Sequence, residues 1–279
     1  MLSTKTSSSG KFSRTHPQKK PTSKTGDVIK KINNQSLDNM TINEALNLIR
    51  GDAGTTVHLS IIRNSQSLEI DLTRAKITLA SVNGKMIGSI AYLSINEFTE
   101  NSPTEFANTL TELAKQSPQG YVFDLRDNPG GYLDSATHML GHFIPGDKTV
   151  VSTKSADGTT RNFQTSGQGE LNGKPIIVLV DKGSASAAEI MAGAIQDLKV
   201  GKLLGTTTYG KGSVQEITNY TDDSLLKIST AHWLTPNGRD INGKGLTPDF
   251  IVEINQTDLL SGKDNQLNRA VEILNNRQL

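Results

Sequence analysis

The sequence predicts a layered α/β domain preceded by a small β-rich unit, and three features carry that prediction. The runs YVFDLR (121–126) and PIIVLVD (175–181) are continuously apolar, as in strands buried on both faces. Each runs into a Gly- or Ser-rich loop and then a helical pattern, and alternating strands and helices build a layered core. Upstream, TTVHLSIIR and LEIDLTR alternate apolar and polar residues, the pattern of half-buried strands. At 279 residues the chain has room for two domains.

Taken in order, residues 1–25 are Ser, Thr, Lys and Pro with almost nothing apolar to bury, and are expected to be disordered. Order is expected from Gly26. GDVIKKINNQSL gives a short strand with an Asn33-Asn34 turn. TINEALNLIRG gives a helix with Thr41 and Glu44 as its capping box, Gly51 as its stop, and Ile42, Leu46 and Ile49 on its buried face. Two strands about the Asn64 to Gln66 turn complete a unit spanning 26–76. The second domain, 77–279, opens with MIGSIAYLSI as one strand. Ser102, Pro103 and Glu105 then serve as N-cap, N1 and N3 of a helix that turns Phe106, Leu110 and Leu113 inward.

Composition excludes several function classes. Net charge is +1 with both signs interleaved, so neither nucleic acid nor an anionic membrane surface is indicated; Lys19-Lys20 and Lys30-Lys31 read as solvated surface. The chain has no cysteine, which removes disulfides, thiol catalysis and Cys-ligated metals. Its apolar runs are too short to span a bilayer, and the first thirty residues lack the apolar region of a signal peptide, so the chain as given is expected to be soluble.

Three loops at strand ends carry unusual residues: DLRDNPGGYLDSA, DKGSASAAEIMAGAIQD and GTTTYGKGSVQ. The third approaches a phosphate-binding loop, but Gly212 stands where a Mg²⁺-ligating Ser or Thr is required, and the residues after it alternate as a strand, so no nucleotide is expected. In the second, small residues lead from a buried strand into a helix, an arrangement that presents a hydroxyl, of Ser184 or Ser186, beside a backbone N–H at a helix N-terminus. Such a serine needs a base. None of the five histidines lies in a suitable loop, and lysine is the known substitute, which points to Lys211. Burial among small uncharged neighbours would lower its pKa toward neutrality, and Gln215, four residues on along a strand, would share its face and orient it.

GSASAAEIMAGAIQD followed by GTTTYGKGSVQ resembles the active-site signature of the carboxyl-terminal processing (tail-specific) proteases of the S41 peptidase family. Ser186 and Lys211 stand 25 positions apart, the separation of that family's Ser-Lys pair, and Gln215 falls at its third position. DLRDNPGG resembles the family's glycine loop, and TPNGRDINGKGLTPD a later family stretch. The resemblance covers roughly 26–252. It implies a serine endopeptidase on a ClpP/crotonase-like strand-helix spiral core, with Ser186 as nucleophile, Lys211 as base, Gln215 as its orienting partner, and an oxyanion hole of Ala187 with Gly131 or Gly130. It also identifies 26–76 as similar to the latter two-thirds of a PDZ domain, without the opening strands or the carboxylate-binding loop. It implies protein or peptide substrates with apolar, unstructured C-termini, no cofactor, no metal and no nucleic acid or nucleotide partner. It leaves room for a homo-oligomer, and the family is typically exported.

Competing readings are a non-catalytic peptide-binding protein with a degraded PDZ front end, and an acyl-CoA enzyme on the shared crotonase-like fold, which gives no reason for a Ser-Lys pair. Asp124, Arg126 and Asp127 read as an ion-pair ladder shaping a loop. His138 and His142 have zinc-ligand spacing but lack the accompanying ligands. Tyr209 and Trp233 are candidate substrate contacts, with core packing an equal expectation for Trp233, and Arg74, between the two domains, is a candidate sensor of the first domain's position.

Overall fold

The computed structural model describes residues 23, 26–75, 80–219, 224–255, 257–258 and 261–278. The reading of residues 1–25 as disordered falls, Ser23 aside, outside them. The chain divides into two compact units, Met1–Thr78 and Leu79–Leu279.

In the first unit, strands β1 (Val28–Ile32), β2 (Gln35–Ser36), β3 (Thr56–Arg63) and β4 (Gln66–Thr73) form an antiparallel sheet in the order β2-β1-β3-β4. Its turns fall at Asn33-Asn34 and Asn64-Ser65, all four with positive φ, a conformation for which asparagine is enriched. Helix α1 (Ile42–Ile49) carries the predicted capping box: Glu44 N–H donates to Thr41 Oγ1, and Thr41 N–H to Glu44 Oε2 at 2.7 Å. Its buried face differs from the expectation. Ala45, Leu48 and Ile49 pack on the small core of Ile32, Val57, Leu59, Ile61 and Ile70, while Ile42 is 80% exposed and Leu46 39%. The sheet meets the helix about a quarter-turn from the stripe that the spacing suggested. Arg74 is engaged within this unit: its guanidinium donates to the carbonyls of Ile49 at 2.6 Å and Leu48 at 3.1 Å, satisfying the orphan acceptors at the end of α1.

The second unit is built on a six-stranded sheet in the order β14-β11-β10-β7-β6-β5: β5 (Val82–Ile87), β6 (Ile90–Ile95), β7 (Gly120–Asp124), β10 (Ile176–Val180), β11 (Lys202–Gly205) and β14 (Phe250–Ile251). All pairs are parallel except β5 with β6. The single strand expected from MIGSIAYLSI is therefore two, because the chain reverses at Gly88-Ser89, where Gly88 has a φ of 59°. Helices α2 (Ser102–Ala114), α3 (Leu133–Leu140) and α4 (Ala187–Asp197) cover one face, and α5 (Asn265–Asn275) the other. Helix α2 starts one residue earlier than predicted, with Asn101 as N-cap. Glu105 accepts from the backbone of Ser81 and Val82 instead of closing a capping box.

Every residue of β7 and β10 is buried. Along β10, Ile176, Val178 and Val180 face the helices, and Ile177 and Leu179 face Ala270, Ile273 and Leu274 of α5. This two-sided burial, worth about 1.5–3 kcal/mol per side chain, is why these strands read as unbroken apolar runs. A second, antiparallel sheet joins β8 (Thr149–Ser155), β9 (Thr160–Gln164), β12 (Ser213–Asn219) and β13 (Leu225–Leu234) in the order β12-β13-β8-β9. Trp233 packs against the core, edge-on to Phe163. Among the described residues, no helix is long and apolar enough to cross a membrane.

Candidate active site

Strands β7, β10 and β11 are neighbours and parallel, so their following loops emerge together at one sheet edge, where α/β folds gather ligands. These are the three loops singled out in the sequence. Hydrogen bonds stitch them into one assembly. Asp181 Oδ1 accepts from the N–H groups of Asp127 (2.9 Å), Gly183 (2.9 Å) and Ser184 (3.1 Å), and Ala185 N–H donates to Asn128 O at 2.9 Å. Tyr209 N–H donates to Ser184 O at 3.0 Å, joining the lysine loop to the serine loop.

The two candidate serines have different environments. Ser184 is fully buried; its hydroxyl donates to Leu125 O at 2.7 Å and accepts from Asp181 N–H at 2.9 Å. Ser186 is half-buried, stands immediately before α4, and has φ 56° and ψ −117°, a strained conformation for a residue with a side chain. Strain of about 1–3 kcal/mol at a strand-to-helix turn holds a serine up at the head of the helix.

The backbone donors around Ser186 separate just as clearly. Gly130 N–H is taken by Asn128 Oδ1 at 2.8 Å, whereas the N–H groups of Gly131 and Ala187 have no hydrogen-bond partner among the described residues. Gly130, with φ 103°, lies against the serine turn: a Cβ there would come within 2.7 Å of Ser186 Cβ and 2.9 Å of Ala187 N. At Gly131 a Cβ would meet Phe98 O at 2.1 Å. Neither position accommodates a side chain.

A residue that the sequence reading passed over joins the two halves. Glu189, fully buried on α4, accepts from Ser186 N–H (3.1 Å), Lys211 N–H (2.9 Å), Gly210 N–H (2.7 Å) and the Thr208 hydroxyl (2.6 Å). The signal was present, since Ser186-x-x-Glu189 is a capping-box spacing. Thr208 and Gly210 are braced in turn by the 235–249 segment, through Leu246 N–H to Thr208 Oγ1 (2.7 Å) and Gly243 N–H to Gly210 O (2.9 Å).

The lysine side chain departs from expectation. Lys211 is exposed, and its side chain makes no hydrogen bond or ion pair among the described residues; it lines an open cleft of about 600 Å³ with Pro129, Lys182, Ala185, Tyr209 and Asn242. The desolvation expected of it is not present, because the lysine loop presents its backbone to Glu189 and its side chain to solvent. Gln215 is exposed as well, and no hydrogen bond joins it to Lys211. Lys211 lies two residues before β12 begins at Ser213, outside the strand whose alternation was to place both on one face.

Beneath the loops, Arg126 bridges Asp124 (2.6 Å) and Asp264 (2.7 Å), and Tyr92 donates to Asp124 at 2.8 Å; the expected ladder thus keeps Asp124 and Arg126, but its third member is the distant Asp264 and not Asp127, whose N–H is turned to Asp181. Burial opposes ionisation of Asp264, but the hydrogen bonds from Arg126 and Leu267 N–H outweigh it and hold its pKa below the ordinary value. Burial, and then the Asp124 carboxylate, push the Tyr92 hydroxyl well up. His142 pairs with Glu170, His138 is exposed, and no cluster suited to a metal occurs among the described residues.

Comparison with known proteins agrees with this architecture. The profile of peptidase family S41 matches residues 89–252. A probable CtpA-like serine protease of Staphylococcus haemolyticus is 40% identical over 225 residues, covering 80% of this chain and 45% of that protein. Its namesake in Staphylococcus aureus is 37% identical over 229 residues, covering 81% and 46%. This chain thus spans about half the length of the curated relatives it matches. The photosystem II D1 C-terminal processing protease has a similar fold, with a TM-score of 0.60 and 27% identity over 85% of this chain and 66% of that one. A putative S41 protease from Bacteroides fragilis, 18% identical, shares the fold with a TM-score of 0.66 over 90% and 73%. The chain belongs to peptidase family S41.

Proposed function

We propose that this chain is a serine endopeptidase working through Ser186 and Lys211, acting on proteins near an apolar, unstructured C-terminal tail. The observation that carries the reading is the Glu189 carboxylate, which ties the backbone of the strained Ser186 turn to that of Lys211. Ser186 Oγ attacks the scissile carbonyl while the neutral Lys211 amine takes its proton. The tetrahedral intermediate collapses to an acyl-enzyme as Lys211 passes that proton to the leaving amine, and water, deprotonated by Lys211, releases the acid. The free N–H groups of Ala187 and Gly131 hold the oxyanion, each worth about 3–4 kcal/mol of barrier in comparable sites. Gly130, the alternative donor, is already committed to Asn128. Gln215 approaches Lys211 when a peptide fills the cleft, since catalytic hydrogen bonds are often loose before substrate binds. The first unit serves as a partial PDZ-like module that docks the tail, the core follows the ClpP/crotonase-like spiral, and the export expected from the family resemblance extends to this protein.

The exposed, unbonded Lys211 side chain favours a second reading, a non-catalytic peptide-binding member of the family. Cleavage of an unfolded protein with an apolar C-terminus separates the two. The expected result is activity that vanishes in both Ser186→Ala and Lys211→Ala. A folded but inactive chain would establish the non-catalytic reading.

A further inference from the structure

The cleft that reaches Ala185, the residue before Ser186, is lined by two lysines, Lys182 and Lys211, and by no acidic residue. The proposed reaction uses one of them. Lys182 is exposed, and no carboxylate pairs with it among the described residues. The aspartates near its loop, Asp124, Asp127, Asp181 and Asp264, line a separate pocket with Tyr92 and Arg126, and of these the Asp127 carboxylate also lies against Gly183. The cleft side of the serine loop thus presents two lysines and no acidic residue in its lining, while the aspartates gather in the neighbouring pocket.

The root of Lys182 is also fixed. It occupies a tight turn closed by Ser184 N–H to Asp181 O at 3.0 Å and by Asp181 N–H to Ser184 Oγ at 2.9 Å. Gly183 next to it is pressed against Asp127, where a Cβ would come within 2.7 Å of the Asp127 backbone. An ammonium on a fixed turn loses less freedom on binding than one on a mobile loop, so more of its interaction with a ligand is retained. What such a group lacks is an anion, and a peptide offers only carboxylates.

We infer that Lys182 is a specificity-determining residue that binds a substrate carboxylate in this cleft, from either a chain terminus or an Asp or Glu side chain close to the scissile bond. The inference rests on the cleft being the peptide site of the proposed function. It makes the cleft selective for anionic peptides by charge, and that selectivity weakens as salt screens the lysine.

The test uses the full chain carrying Ser186→Ala, so that peptides bind without being cut, and three fluorescent peptides of one apolar sequence. One ends in a free carboxylate, one in an amide, and one in an amide with a single Asp near the end. One or both carboxylate peptides should bind about five-fold tighter than the plain amide at low salt, in keeping with a charge-assisted contact at a partly exposed site. That ratio should fall to about one in Lys182→Met and be restored in Lys182→Arg. Preference for the free terminus alone assigns the terminal carboxylate, and preference for the Asp peptide assigns the side chain. Equal binding of all three, or a preference that survives in Lys182→Met, overturns the inference. Cleavage by the unsubstituted chain is measured separately. Its absence beside a Lys182-dependent preference would sink the proposed activity and leave the carboxylate site standing.

Discussion

Glu189 and Lys211 are bonded through the backbone: Glu189 Oε2 accepts the Lys211 N–H at 2.9 Å, and the same oxygen accepts the Ser186 N–H at 3.1 Å. One buried carboxylate therefore sets the position of two loops that are 25 residues apart. Replacing it with Ala leaves four donors without an acceptor, at about 1–3 kcal/mol each before relaxation. Glu189→Ala is expected to lower the urea midpoint sharply and abolish cleavage. Glu189→Gln, which keeps one acceptor oxygen but turns an amide toward N–H groups, should be intermediate in stability and still impaired in cleavage. Full activity in Glu189→Ala would mean that the two loops hold their positions without it.

The two serines should separate stability from activity. Ser184→Ala strands Leu125 O and Asp181 N–H in the interior and should cost about 1–3 kcal/mol by denaturant unfolding while cleavage persists. Ser186→Ala removes only its cap at the start of α4 and should cost about 1 kcal/mol or less by the same measurement while removing activity. The reverse pattern would assign the nucleophile to Ser184.

At the glycine pair, the site of the clash predicts the phenotype. Gly130→Ala places a methyl against Ser186 Cβ and Ala187 N, so it should cut cleavage far more than its strain lowers stability. Gly131→Ala drives a methyl into the Phe98 carbonyl and should destabilise the fold itself. Circular dichroism melts beside a cleavage assay read the contrast, and equal stability losses in the two variants would refute it.

Acid should weaken the fold through Asp264. Its pKa in the folded state is lowered from 3.8, so the stability it contributes is present above that value and is lost as pH falls below it through the folded value. Asp264→Asn should cost about 1–3 kcal/mol at pH 7 by urea unfolding, and the gap from the unsubstituted chain should close below about pH 4. A gap that stays constant to pH 2 would show that ionisation of Asp264 is irrelevant. Arg126→Met, which leaves Asp124 and Asp264 facing each other, should cost more, about 3–5 kcal/mol.

Local pattern was enough for much of this molecule. Thr41 and Glu44 announced a helix start through side chains that bond their own backbone, and the five apolar residues of β10 announced a strand covered on both faces. Both are properties of a few consecutive residues and need no distant partner. The Gly- and Ser-rich loops, and the strand after Lys211 that excludes a phosphate loop, were legible for the same reason.

Relations between segments had to wait for the tertiary structure. Which stripe of α1 faces its sheet depended on where that sheet lies, and Ile42 and Leu46 turned outward. Which glycine keeps a free N–H depended on Asn128 reaching back to Gly130, and which serine is accessible depended on Leu125 claiming Ser184. The exposure of Lys211 followed from Glu189 binding its backbone and leaving its side chain to the cleft. Sequence by itself determined the residue types and the secondary structure that presents them, because these follow from short-range sterics and periodicity. Only the tertiary structure decided which polar groups are already satisfied and which remain free to act, because a buried hydrogen bond is settled by whichever partner the packed chain brings within about 3 Å.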